Sequence, residues 1–308
     1  MQQEVFLRMA EASRKPDAQE RTIAYLAEHL RHFLRKQERV LICFLEQEEG
    51  GLSWLMEKAV LACGATPVTI GEDLRWKSIL RLAFVNRVTA IIGEPLVILG
   101  LAKLKKHSGT PLAVRRVITS GYPCPEWMIE GISNGLDCEI GGCFALQNSG
   151  IVAGFACGHS WGVHIRETEY GVDVVDKKGV SLAPGELGEI VLYPRSAPHL
   201  RCSLGENARR ITQTCRCGSS TLRLTDMSPG QGSYSDLTAL SQNLHSWTSI
   251  LDCRLHKGSG GLEIEIVCFQ GEKLPKLPSA AKLIVRQWDP ASDTPLMHAS
   301  SLKILETM

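Results

Sequence analysis

The stretch RVLICFLEQEEGGLSWLMEKAVLACGATPVTI, residues 39–70, decides the fold class. It begins with a short apolar run rich in β-formers, RVLICFL (39–45), and crosses the polar EQEEGG. It then switches to helical spacing in LSWLMEKAVLAC, which ends at Gly64. ATPVTI (65–70) is the next strand, so the stretch reads as one strand–helix–strand unit. The pattern repeats downstream. Residues 72–85 read as a helix and RVTAIIG (87–93) as a strand. PLVILGLAKLKKHSG (95–109) returns as a helix whose basic end suits the helix dipole, and RRVITSG (115–121) is a strand again. Such alternation predicts right-handed βαβ units around a parallel sheet, and hence an α/β layer. Upstream, ERTIAYLAEHLRHFLRK (20–36) places Ile23, Leu26, Ala27, Leu30, Phe33 and Leu34 at helical spacing, as an amphipathic helix facing a core.

After residue 140 the texture changes to short β-rich pieces separated by glycine-rich turns. WGVHIRE, YGVDVVD, GEIVLYP, ARRITQT and STLRLTD read as strands of an antiparallel sheet or small barrel appended to the α/β layer. A linker, DMSPGQGSYS (226–235), leads to a helix (DLTALSQNLHSW), a strand pair (SILDCRLHK, GLEIEIVCF) and a last strand, KLIVRQW. The expected organisation is a first domain over 1–226, with an α/β layer at 20–140 and a β-rich subdomain at 141–226. A small α+β domain follows over 227–308.

Whole-chain quantities limit the function. The chain of 308 residues is 44% hydrophobic, enough for a large core. Lys+Arg 34 against Asp+Glu 33 leaves a net charge of +1, which provides no global field to steer the chain to nucleic acid or anionic lipid. The N-terminal residues are too polar for a signal-peptide core, and no segment approaches the ~20 apolar residues of a membrane span. The expected location is the cytoplasm. Eleven cysteines, an odd number without a disulfide-like framework, suit a reducing compartment.

CGHSWGVH (157–164) concentrates one cysteine and two histidines, and TCRCGSS further on offers Cys215 and Cys217. Cys157, His164, Cys215 and Cys217 make a Cys-x6-His … Cys-x-Cys set of the type that holds tetrahedral Zn²⁺. On spacing alone, unrelated buried cysteines beside a surface histidine remain an equal alternative, with His159 as a spare. His29 and His32 read as solvated helix positions, and Cys138 and Cys143 as core.

Three segments carry a family resemblance: GVHIRETEYGVDVVDKKGVSLAPGELGEIVLYP, PHLRCSLGE and RRITQTCRCGSSTLRL. They resemble the distal part of phenylacetate–CoA ligases and coenzyme F390 synthetase-like proteins of the AMP-forming adenylate superfamily. LSWLMEKAVLACGATPVTI, AIIGEPLVILGLAKL and SGYPCPEWM extend the resemblance upstream, so that it covers roughly residues 38–225. It implies a structural zinc held by Cys157, His164, Cys215 and Cys217. It also implies a ligand cleft at Gly121, Tyr122, Pro123, Gln147, Arg201 and Glu206.

The departures from that family bear on activity. The family's phosphate loop precedes the segment matching residue 20 onward, where this sequence offers MQQEVFLRMAEASRKPDAQ. Cys143-Phe-Ala-Leu-Gln147 stands for Tyr-Gly-x-(Ser/Thr)-Glu, which places a carboxamide where the family has its Mg²⁺-associated carboxylate. Leu204-Gly205-Glu206 stands for the ribose-binding Thr-Gly-Asp, and Tyr122 replaces the acid of "GAEP". At the segment carrying the adenylation lysine, Ser300 takes the lysine position, with Lys303 nearby. The expectation is a degenerate ligase-like protein that binds a partner protein or a small acyl or nucleotide ligand. AMP or an acyl-adenylate is favoured over ATP, Mg²⁺ should add little, and self-association is a further route. The alternative is an AMP-forming acyl- or aryl-CoA ligase that uses unusual residues or is completed by another chain. A catalytic zinc is disfavoured, because a closed Cys3His set leaves no open coordination position.

Overall fold

The repeated strand–helix unit builds five parallel strands: β1 (Arg39–Cys43), β2 (Thr66–Thr69), β3 (Ala90–Gly93), β4 (Arg116–Ser120) and β5 (Glu139–Leu146). The structure is a computed structural model describing residues 2–45, 47–71, 75–121, 124–146, 149–159, 162–229, 240–241, 243–258, 261–271, 274 and 281–289. Helices cover both faces of the strands, which is why β1 after Arg39 and the whole of β3 are apolar and buried instead of alternating. On one face Val40, Ile42 and Ile92 pack with Leu26 and Leu30 of α2 (Pro16–Phe33) and with Leu55 and Met56 of α3 (Leu52–Ala62). On the other, Leu41, Ile91 and Val117 pack against α4 (Trp76–Val85), α5 (Pro95–Ser108) and α6 (Glu126–Leu136). Each fully buried Leu or Ile contributes about 1.5–3 kcal/mol. α5 starts on Pro95, whose fixed φ suits a first helical position, and ends at Gly109 in the left-handed region. Gly100 allows the close approach of Trp76, whose indole a Cβ there would overlap.

The β-rich half continues the same sheet. The order β2-β1-β3-β4-β5-β6-β7-β11-β10-β9-β8 turns antiparallel at β6 (Ile151–Phe155). The remaining strands are β7 (Val163–Ile165), β8 (Tyr170–Val175), β9 (Leu187–Pro194), β10 (Cys202–Ile211) and β11 (Arg223–Pro229). Their core includes Phe144, Ile151, Val174, Ile190, Leu192 and Leu224. Helix α1 (Gln2–Ser13), for which the sequence reading assigned no element, covers this core with Met9.

A second sheet of β12 (Ile250–Gly258), β13 (Gly261–Cys268) and β14 (Lys282–Gln287) follows. Leu251, Val267, Phe269 and Trp288 join the core around α4 and α5, so the smaller sheet is docked on the larger layer. Lys103 on α5 fixes that contact by donating from Nζ to the carbonyls of His245 (2.6 Å), Trp247 (3.0 Å) and Ile250 (2.6 Å). Burial pushes its ammonium down to about 8. Trp76 Nε1 donates to Asp252 at 3.2 Å across the same junction. The expected linker at 226–235 begins inside β11, which runs to Pro229 and pairs with β10; residues 230–239 lie outside the described residues. No helix among the described residues is long and apolar enough to cross a membrane.

Candidate metal centre and ligand cavity

Cys157 follows β6, and His164 lies in β7, the three-residue strand between β6 and β11. His164 is paired with Phe155 on one side and Arg223 on the other. Cys215 and Cys217 occupy the tight connection from β10 to β11. There the Cys215 N–H donates to the Ser219 carbonyl (2.9 Å) and the Gly218 N–H to the Cys215 carbonyl (2.9 Å), with Gly218 at φ +89°. Sheet pairing thus brings together donors that are 58 positions apart in sequence (Cys157 and Cys215). All four donor atoms lie within 4.8 Å of one another.

The geometry suits a tetrahedral ion. Zn–S bonds of about 2.3 Å set sulfurs about 3.8 Å apart. Cys157 Sγ and Cys215 Sγ are separated by 3.6 Å, and Cys217 Sγ lies 3.5 Å from His164 Nε2. The sulfurs are too far apart for a disulfide, and all are free thiols. His164 Nδ1 lies 2.8 Å from Thr221 Oγ1; donating there leaves Nε2 as the lone-pair nitrogen facing the thiols, the orientation a metal-ligating imidazole requires. His159 is exposed, bonds through Nδ1 to the Cys157 carbonyl (2.9 Å) and stands outside the set.

Beside this centre a cavity of about 830 Å³ opens at the carboxyl end of β4 and along β5, where the parallel half of the sheet meets the antiparallel half. Crevices of this kind are where open α/β sheets place ligands. Thr119, Gly121, Cys124 and the Gly141–Ala145 run form one wall. Gly158, His159, Gly162 and the Leu224–Met227 run of β11 form the other. Gly141 is required by the helix behind it, because a Cβ there would lie 2.5 Å from Phe33 Cζ. Its acids are Glu126, Glu206 and Asp226; among the described residues that line the cavity none is Lys or Arg. Asp226 pairs with Arg209 at 2.9 Å in an exposed contact of small energetic weight.

Glu206 enters the cavity from β10, and burial pushes its carboxyl up to about 7. Unfolded, such a group titrates near 4.3. Between those values the folded state holds the extra proton, so its contribution to stability falls as pH rises through the window and then levels off. Glu206→Gln is therefore expected to match the wild type in thermal stability at pH 4.5. It should become the more stable protein toward pH 8, by up to about 2 kcal/mol once solvent screening is allowed for. Paired melts at the two pH values check this; a gap independent of pH would contradict it.

The sequence-derived cleft residues divide. Gly121 and Glu206 line the cavity, whereas Tyr122, Pro123 and Gln147 lie outside the described residues. Arg201 stands apart from these. It is exposed and bonds to Asp173 of β8 (2.5 Å), with its guanidinium 5.0 Å above the Tyr193 ring, and so it lies away from the cavity lining. A carboxylate and an aromatic face on the neighbouring hairpin hold it there. Cys143, expected as core, is buried but also lines the cavity, as does Cys124. Burial raises both thiols to about 12, which makes them inert packing groups.

Among solved structures the chain is similar to 2-hydroxyisobutyryl-CoA ligase in its postadenylation state with 2-HIB-AMP (TM-score 0.66, 14% identity, 94% of this chain and 72% of that one). It is also similar to a benzoate CoA ligase from Burkholderia xenovorans LB400 (TM-score 0.56, 14% identity, 91% and 65%). A third is the anthranilate CoA ligase AuaEII in complex with anthranoyl-AMP (TM-score 0.55, 12% identity, 92% and 63%). No protein-family model and no curated protein matches the chain. At these identities the likeness establishes the fold, which is that of adenylate-forming ligases: a large α/β sheet with a smaller C-terminal sheet.

Proposed function

We propose that the chain is a degenerate adenylate-forming-ligase-like protein of the phenylacetate–CoA ligase and F390 synthetase-like type. It acts by binding a small acyl or nucleotide ligand or a partner protein, with a structural zinc at Cys157, His164, Cys215 and Cys217. The observation that carries the reading is the composition of the cavity. It is large enough for a nucleotide-sized ligand, yet its described lining is acidic and apolar and presents no cation to a triphosphate. Gln147, at the position matching the family's metal carboxylate, supplies no charge for Mg²⁺. The division into a domain over 1–226 and a smaller one over 227–308, a cytoplasmic location, and self-association as a further mode of partnering belong to the same proposal.

Calorimetric titration tests it. AMP or an acyl-adenylate is expected to bind more tightly than ATP, and Mg²⁺ should change ATP affinity little. Micromolar binding of Mg·ATP would overturn the reading. The second reading is an AMP-forming acyl- or aryl-CoA ligase completed by another chain. It draws support from the likeness to CoA ligases that were captured with their acyl-adenylates.

A further inference from the structure

The metal centre and the cavity share a wall. Cys157 and His164, two of the four clustered donors, bracket a loop whose Gly158, His159, Gly162 and Val163 face the cavity. The other two donors, Cys215 and Cys217, lead directly into β11, whose Leu224–Met227 run forms the adjoining stretch of the same wall.

β11 is held by five register pairs with β10, whereas the loop side of the wall is lightly held. β7 is three residues long and makes two register pairs with β6 and two with β11. Gly158 and Gly162 adopt φ of +74° and +102°, conformations open to glycine in many other arrangements of the chain. Gly162 lies against the Leu224 carbonyl so closely that a Cβ would sit 2.5 Å from its oxygen, so the loop and β11 must move together. An ion bonded to all four donors would close the loop at both ends and tie it to β11.

We infer that the Cys3His centre is a positioning element for the cavity, so that metal and cavity ligand bind cooperatively. An ordered wall spares the ligand the entropic cost of ordering it, and linkage makes the effect reciprocal: ligand must tighten metal by the same factor. Couplings of this kind are typically about 5- to 150-fold. This inference rests on the cavity being a ligand site, as proposed above, and uses AMP as the probe.

The experiment compares the full chain loaded with zinc and stripped by chelator, with hydrogen exchange followed in both forms. Stripping is expected to weaken AMP binding about tenfold or more and to accelerate exchange at 158–159, 162–163 and 224–227, while exchange in β1 stays slow. AMP should retard zinc loss to chelator in the same proportion. Cys217→Ser replaces the exposed donor and so disturbs the core least. It should reproduce the stripped behaviour with the fold retained, and added zinc should not restore it. Unchanged AMP affinity in protein verified to be metal-free would overturn the coupling. If AMP fails to bind even the zinc-loaded chain, the proposed function fails by itself. The exchange comparison then decides the inference: metal-independent protection of 158–159, 162–163 and 224–227 overturns it.

Discussion

Cys215→Ser is expected to remove the metal and to lower the thermal midpoint of the protein by roughly 10 °C, the largest stability effect expected of any single substitution in the β-rich half. Cys215 is buried, and its sulfur is one of four donors gathered within 4.8 Å. A serine oxygen there is a poor substitute for a thiolate toward a borderline-soft ion, and it leaves a buried hydroxyl without its partner. Structural zinc contributes folding free energy outright, about 10–16 kcal/mol in isolated fingers. Here β7, β10 and β11 are also held by strand pairing, so a smaller loss of about 3–4 kcal/mol is expected, and each kcal/mol corresponds to about 2–4 °C in a domain of this size. Elemental analysis should find about one zinc per wild-type chain and little in the variant. Cys138→Ser, at a half-buried thiol outside the cluster, is the control and should keep the full complement. Wild-type protein purified without chelator yet free of zinc would end the assignment, as would a Cys215→Ser protein that keeps both metal and midpoint.

The parts of the fold that were legible in the sequence are those in which one period dominates a segment. β1, α3, β2, α5 and β4 stand where RVLICFL, LSWLMEKAVLAC, ATPVTI, PLVILGLAKLKKHSG and RRVITSG place them, because their apolar residues serve a single, fully covered sheet. α6 escaped because EWMIEGISNGL carries Gly131 and Gly135, which lower helix propensity. Their reason is tertiary: a Cβ at Gly135 would lie 2.8 Å from that of Ala102 on α5. β6, IVAGF, is short and wholly buried, and a run of that kind has no period to read. The four metal-type donors could be gathered from the sequence because cysteine and histidine are chemically conspicuous wherever they fall. The cavity could not be assembled in the same way. Its walls come from five separated segments, and most of the residues facing it, such as Thr119, Ala145 and Leu224, look like ordinary core. For Arg201, nothing in its own segment announces its contacts with Asp173 and Tyr193.

The chain by itself is expected not to activate a carboxylic acid. Adenylation requires the triphosphate charge to be neutralised while a carboxylate attacks the α-phosphorus, and its rate rests on positioned cations and donors. In the described lining, Glu126, Glu206 and Asp226 would oppose that charge instead of offsetting it. Even with Glu206 half protonated near neutral pH and Asp226 paired with Arg209, the described lining offers the phosphates no cation of its own. Each missing stabilising group costs about 10²–10³ in rate, so loss of a cationic partner together with the metal carboxylate corresponds to about 10⁴–10⁶. Pyrophosphate release and hydroxamate trapping, run with aryl and fatty acids plus Mg·ATP, should therefore stay at background. Gln147→Glu, at the position that the proposed reading matches to the family's Mg²⁺ carboxylate, should not rescue either signal, because it adds a negative charge without supplying a cation for the phosphates. Substrate-dependent pyrophosphate release by the wild-type chain alone would instead establish the ligase reading. Release that appears only when a second chain is added would show that the missing charge is delivered in trans.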